Sequence, residues 1–261
     1  MNKNLLMSYS EYSKIKHETP YFYIIKVPEH IIYYFGSSHS HEPSHQEFGL
    51  LKEKWDEFIN ETKNSKSVVI LETSQIPEQE TTIEKAIIKY GESGAGAYLA
   101  YINNLPLILG EPENSQVIDY LLNDYSKAEV LFWYQCQAIK FWQKNKKGRS
   151  IDEFLLNQTG RYRKLLNWSD LVISFDLINE IYCKLFNKKL DINDENIFSE
   201  LTSPTVIKSR INELSRSQSQ FRNEYILGQV EKCWNDGYNI FIIYGAGHAV
   251  MQELAIKSLA S

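Results

Sequence analysis

Short apolar runs bounded by turn-forming residues alternate along this chain with stretches whose apolar positions recur every three to four residues. Residues 21–27, 31–35, 67–71, 106–109 and 240–244 are brief and rich in Val, Ile, Leu, Tyr and Phe, so they predict strands, several of them buried on both faces. Pro28-Glu29-His30 turns the first strand into the second as a hairpin. Ser44-His45-Gln46-Glu47 has the pattern of a capping box, and Leu50, Leu51, Trp55, Phe58 and Ile59 follow at helical spacing, predicting a helix that reaches to the vicinity of Asn64. A second box, Thr81-Thr82-Ile83-Glu84, predicts a helix through Tyr90 that Gly91 stops. The small residues after Glu92 suit a helix packed closely on a sheet.

Between 123 and 204 the pattern changes. Long amphipathic segments at 128–143 and 171–186, dense in Trp, Tyr and Phe, replace any strand-like run and predict a helical insertion. Its aromatic stripe is read first as core packing, and second as an apolar pocket wall to which Trp133, Tyr134, Phe141 and Trp142 contribute. One or two helices are expected over 205–236, leading into the last strand. The fold class that follows is α/β: a mixed β-sheet flanked by helices, with one domain over 1–261 that carries an inserted helical cap at 123–204.

Composition narrows the partners. A chain of 261 residues, 43% hydrophobic and 23% charged, fits a soluble globular protein. Its net charge of -5 offers no electrostatic footprint for nucleic acid, and the only dense basic run, 144–149, reads as a short turn between helices. No apolar stretch approaches the roughly 20 residues that cross a bilayer, and 5–7 is too short for a signal-peptide core. Neither nucleic acid nor membrane is an expected partner, and a cytoplasmic location is expected. Cys136, Cys183 and Cys233 are odd in number and widely spaced, which argues against a disulfide framework or a zinc knuckle and for buried thiols.

Candidate chemistry collects at the strand ends. The last strand runs into Gly245-Ala246-Gly247-His248, where the glycines are expected to turn the chain sharply and a helix follows. The strand at 31–35 runs into Gly36-Ser37-Ser38-His39, again a glycine three residues before a histidine. Open α/β sheets bind ligands at such ends, so the two imidazoles are expected to converge. The strand at 67–71 delivers Glu72 and that at 106–109 delivers Glu111. The loop after His39 also holds His41 and His45, and the His-x-His pattern makes His41 a candidate for one extra metal ligand. Each residue has a bland alternative: a backbone-bonded ring for either histidine, an exposed turn for Glu111, helix-end charge placement for Glu92, and a solvated or salt-bridged helix face for Arg222 and Asn223. Together they need a reason, because converging carboxylates and imidazoles are costly to desolvate unless paired or bound to metal.

Gly36-Ser-Ser-His39 after a strand, Val68-Val-Ile-Leu-Glu72, Arg222-Asn223 on a late helix and Phe241-Ile-Ile-Tyr-Gly-Ala-Gly-His248 occur in an order and spacing that resemble the TraB/GumN family. That family includes the TIKI metalloproteases and is distantly similar to erythromycin esterases and ChaN-like haem-binding proteins. The resemblance covers about 21–120 and 215–259, and departs from the family's pattern at Ser37, where members commonly have Thr, and at Ala249-Val250-Met251.

The resemblance implies an active site lined by His39, His248, Glu72 and Arg222, in a TIKI-like hydrolase that cleaves an amide or ester bond of a small-molecule or peptide substrate. In that reading His39, His248 and Glu72, with His41 as the extra donor, hold a divalent metal ion such as Mn, Co or Zn. Glu72 serves as ligand or general base, Arg222 stabilises the developing oxyanion, and Glu111 is a further candidate catalytic carboxylate. A metal-free variant, implied by the likeness to erythromycin esterases, keeps the same residues. The alternative from another class is a non-enzymatic ligand-binding protein, for haem or peptide, built on the same histidine cluster. A third is a degenerate fold used only for protein contacts.

Overall fold

A computed structural model describes residues 1–145, 148 and 150–260. Within the basic run 144–149, expected to be a turn between helices, Lys146, Lys147 and Arg149 lie outside the described residues. The chain forms two compact units, one from Met1–Pro112 with Arg222–Ser261, the other from Glu113–Phe221. The segment 123–204, expected to be a helical insertion, falls inside the second.

The first unit opens with a 3₁₀ turn and α1 (Tyr9–Tyr12), then β1 (Tyr21–Lys26), β2 (Ile31–Ser37), α2 (Gln46–Glu61), β3 (Ser67–Leu71), α3 (Ile83–Ile102) and β4 (Leu107–Leu109). It is completed by β5 (Asn239–Gly245) and α11 (Ala246–Lys257), which follow the second unit in the chain. The strands form one sheet in the order β1-β2-β5-β3-β4. β1 pairs antiparallel with β2 through the predicted hairpin, and β2, β5, β3 and β4 are parallel to one another. The predicted α/β fold with a mixed sheet flanked by helices is what forms.

Side chains alternate across the sheet, so each strand feeds two cores. Tyr33, Phe35, Val69, Leu71, Phe241 and Ile243 pack with Leu51, Trp55 and Phe58 of α2 and with Ile87, Ala95 and Leu99 of α3. Ile32, Tyr34, Val68, Ile70, Ile240 and Ile242 pack on the other face, with Ile226, Leu227 and Val230 and with Ala249, Ala255 and Ile256 of α11. Every residue of β2, β3 and β5 is buried, which explains why these strands are nearly continuous apolar runs. The small residues of α3 permit close approach: a Cβ on Gly96 would lie 2.5 Å from Ile243 Cδ1.

Two expected caps form differently. His45, not Ser44, is the N-cap of α2 and makes no side-chain cap bond, and Glu47 accepts from the loop at 38–40 instead of from the helix start. Thr82, not Thr81, caps α3 by accepting from Lys85 N. Gly91 interrupts α3 as expected, with φ 60 and ψ -140, and a second helical segment resumes immediately beyond it.

The second unit contains α4 (Asn114–Leu121), α5 (Lys127–Lys144), α6 (Ile151–Leu156), α7 (Thr159–Leu165), α8 (Phe175–Phe186), α9 (Glu195–Leu201) and the first part of α10 (Arg210–Asn235). It has no strand among its described residues. Its core gathers Leu131, Phe132, Trp133, Cys136, Ile139, Tyr182 and Phe198, with Tyr134 packed against it, so the aromatic stripe is core packing. Phe141, expected as a possible pocket wall, is exposed. No helix among the described residues is long and apolar enough to cross a membrane.

Candidate functional site

Four parallel strands end at one edge of the sheet, and each delivers a polar residue there. β2 runs into the loop carrying His39, β3 into Glu72, β4 through Gly110 into Glu111, and β5 into the start of α11 with His248. Parallel pairing forces the convergence, because strands running the same way must all end on the same side.

Glu72 is the centre. Its Oε2 accepts from Gly245 N at 2.6 Å, its Oε1 accepts from Arg222 Nη2 at 2.6 Å, and its backbone N–H donates to Ile243 O at 3.0 Å. His39 Nε2 stands 3.9 Å from its Oε2, and His248 Nε2 stands 4.0 Å from its Oε1. The two histidines therefore flank one carboxylate, and Arg222 joins them from α10. Arg222 is also bonded to Glu111, with Nε to Oε2 at 2.5 Å and Nη2 to Oε1 at 2.6 Å, and Tyr244 Oη donates to the same carboxylate. Burial pushes the Glu111 carboxyl up, against the opposing pull of Arg222. Burial alone would weaken the Arg222 charge, but Glu111 and Glu72 hold it more firmly protonated than usual.

The glycines matter for space. Gly245 has φ -60 and ψ 143, ordinary extended backbone, so the sharp turn expected there does not come from a glycine-only conformation. A Cβ on Gly245 would instead lie 2.6 Å from His39 Nε2 and 3.3 Å from Glu72 Oε2. A Cβ on Gly36 would lie 2.8 Å from Ala246 Cα. The glycine of each Gly-x-x-His motif thus makes room for the strand end that carries the other.

His39 sits at φ 61, in a region that non-glycine residues seldom adopt and that has to be held by its surroundings. The holding group is Glu47, completely buried in the first turn of α2. It accepts from Ser38 N at 2.7 Å, Ser38 Oγ at 2.7 Å and Ser40 N at 3.1 Å. The ring of His39 is fixed at its other end by Glu92, whose Oε1 lies 2.7 Å from Nδ1. That bond raises the His39 pKa to about 9, with Glu72 adding to it and burial opposing.

His248 is the opposite kind of histidine. Burial, with Arg222 and His39 nearby, lowers its pKa well below the usual value, so it is neutral. Its Nδ1 lies 2.7 Å from Asn223 Oδ1.

The potential ligand atoms of His39, Glu72 and Glu92 all lie within 4.8 Å of one another. Of the four residues expected to hold a metal, His39 and Glu72 belong to this group, and His248 stands beside it across Glu72. His41 does not join: its Nδ1 lies 3.3 Å from Ile88 O, and the side chain is exposed. The loop carries His41 past the cluster to the rim at Gly91. Glu92 takes the place expected for it. A cleft of about 480 Å³ opens beside the group, lined by His39, Glu72, Thr73, Ile76, Tyr90 and Glu92 among others.

Several participants carry no signal as single residues. Glu92 is marked only by following Gly91, which places a carboxylate at the start of a helical segment. Asn223, completely buried, gave the pattern of a solvated helix face. In the sequence Glu47 has the place of half a capping box. Nothing in the local sequence singles out Tyr244, Gln252 or Tyr34.

The fold and the cluster together define a class: an α/β protein with a polar, charge-dense site at the C-terminal ends of parallel strands. Compared with protein-family models, curated proteins and solved structures, the chain matches none.

Proposed function

We propose that this protein is a hydrolase of an amide or ester bond that uses a divalent metal ion, in the manner of the TIKI-like TraB/GumN enzymes its motifs resemble. The observation that carries the reading is the donor group formed by His39, Glu72 and Glu92, whose ligand atoms lie within 4.8 Å of one another. One imidazole and two carboxylates suit Mn, Co or Zn. Charge supports it as well. With His39 protonated on Glu92, the group of Glu72, Glu92, Glu111 and Arg222 is left with one net negative charge, and a divalent cation that took the place of the His39 proton would meet two.

A bound ion would supply Lewis acidity toward a scissile carbonyl and its attacking water. The chain's own groups do the rest. Neutral His248, its Nε2 4.0 Å from Glu72 Oε1, is placed to accept a hydrogen bond from the attacking water and orient it. Arg222 holds Glu72 and Glu111 in place and keeps positive charge at the site as an oxyanion develops. Glu111 acts through Arg222, as a positioning residue. The cleft of about 480 Å³ suits a small molecule or the end of a peptide. Free thiols at Cys136, Cys183 and Cys233 fit work in the reducing cytoplasm.

Elemental analysis of purified protein, followed by Mn, Co and Zn titration of wild type, His39→Ala and His41→Ala, tests the reading alongside hydrolysis of ester and peptide substrates. Wild type and His41→Ala should bind alike, and His39→Ala should lose more than about tenfold in affinity. Metal-independent turnover would favour the metal-free variant. A Soret band on haem titration without turnover would favour a haem carrier.

A further inference from the structure

Behind His248 lies a buried polar chain that the proposed chemistry does not itself require. Asn223 Oδ1 accepts from His248 Nδ1 at 2.7 Å and from Gln252 Nε2 at 2.7 Å, and Gln252 Oε1 accepts from Tyr34 Oη at 2.8 Å. Tyr34, Asn223 and Gln252 are each completely buried, and they come from β2, α10 and α11. Polar side chains are buried this deeply at a cost, and a chain of them specifies one arrangement when its donors and acceptors run in a single direction.

Here the direction is readable. An amide oxygen cannot donate, so a ring nitrogen bonded to Asn223 Oδ1 must carry a hydrogen. The same oxygen takes the Gln252 amide N–H, which turns the Gln252 oxygen toward the Tyr34 hydroxyl. The neutral His248 ring then has its one hydrogen on Nδ1. Its Nε2 is left as a lone pair facing Glu72 Oε1 at 4.0 Å. Two acceptors opposed at that distance have no attraction for each other. They leave a place for a proton donor or a cation between them.

We infer that Tyr34, Gln252 and Asn223 are positioning residues that fix His248 in the Nδ1–H tautomer, so that Nε2 is the acceptor presented to the site. The inference rests on the proposed reading for its purpose but not for its test. Tyr34 and Gln252 are completely buried and do not line the cleft, so their effect on His248 runs through Asn223. The role resembles that of second-layer partners which fix the tautomer of a reactive or metal-binding histidine. Asn223 Nδ2 is buried with no partner among the described residues, so every bond that places this amide runs through its oxygen.

Long-range proton–nitrogen correlation spectra of protein labelled with ¹⁵N in histidine read the tautomer directly, near neutral pH and without added metal. Wild-type His248, assigned by its disappearance in His248→Gln, should show a protonated Nδ1 and an unprotonated Nε2. Tyr34→Phe removes one hydroxyl, and Gln252→Leu removes the donor to Asn223. Each should move the tautomer ratio toward Nε2–H by about five- to tenfold, as loss of one buried hydrogen bond implies. A wild-type ring found as the Nε2–H tautomer or as imidazolium overturns the inference without any variant. So does an unchanged ratio in both variants when their circular dichroism is native. Failure of the hydrolase reading would appear separately, as absent turnover beside the expected tautomer.

Discussion

Arg222 grips Glu111 through two parallel bonds, Nε to Oε2 at 2.5 Å and Nη2 to Oε1 at 2.6 Å, while the same Nη2 reaches Glu72 Oε1 at 2.6 Å. One guanidinium thereby compensates carboxylates delivered by two neighbouring strands. Arg222→Met should destabilise the protein by roughly 3–5 kcal/mol, because it leaves largely buried carboxylates uncompensated. Arg222→Lys should recover only part of this, since an ammonium cannot reproduce the fork. Denaturant midpoints measure both. Adding Glu111→Gln to Arg222→Met should restore some stability, and a strictly additive loss would show that the two residues are not coupled.

Gly245→Ala separates the site from the fold. The added Cβ would meet the ring of His39 at 2.6 Å, the far end of a half-exposed side chain that can swing aside. The variant should remain folded with a melting temperature close to wild type, yet lose metal affinity and any hydrolysis. A fully active Gly245→Ala protein would contradict the crowding described here.

The two histidines should give metal-free protein opposite pH responses. His39 is raised to about 9 in the folded state, chiefly by its bond to Glu92. Its contribution to stability is fully present below the unfolded value of about 6.5 and is lost as pH climbs through about 9. His248 is lowered well below 6.5, so its contribution is present above that value and is lost as pH falls from there. Thermal unfolding followed across this range should show the alkaline decline in wild type and a weaker one in Glu92→Gln. An equal decline in both would remove the His39–Glu92 bond as its cause.

Glu47 should matter more than its distance from the cleft suggests. Glu47→Ala strips three hydrogen bonds from the loop at 38–40, all made to a completely buried carboxylate. A loss of about 2–4 kcal/mol is expected from that number of unmade bonds, together with weaker metal binding as His39 leaves its φ of 61. Chemical denaturation and metal titration of the same variant would show both effects. Stability lost without any change in metal binding would mean that the loop holds its shape by other contacts.

The sheet was legible in the sequence because its strands advertise themselves locally. Ile240 to Ile243 and Val68 to Leu71 are buried on both faces, so every position in them is apolar and the signal survives without any knowledge of neighbours. The helical character of 123–204 was legible for the same reason, since helical periodicity is a property of one segment. The two Gly-x-x-His motifs could be found as patterns, and parallel strands then had to bring their ends to one edge. What the glycines were for could not be found that way. Gly245 is required by the ring of His39, and nothing near Gly245 in the chain announces that ring.

The choice of partners was decided by tertiary structure alone. His39, His41 and His45 are equivalent as a histidine-rich loop, but Glu47 holds that loop so that His39 reaches Glu92 and Glu72, while His41 meets a backbone carbonyl and His45 stays beside Glu47. Glu92 reads as ordinary helix-end charge until the kink at Gly91 brings it to 2.7 Å from His39 Nδ1. Asn223 reads as a polar face of α10 until α11 packs against it and supplies His248 and Gln252. Periodicity determines which residues form an element and which face they bury, because those depend on neighbours three or four positions away. Hydrogen-bond and charge partners are set by approach between elements 50 to 150 residues apart, as in His39 with Glu92 and Arg222 with Glu72, and that information exists only once the chain is packed.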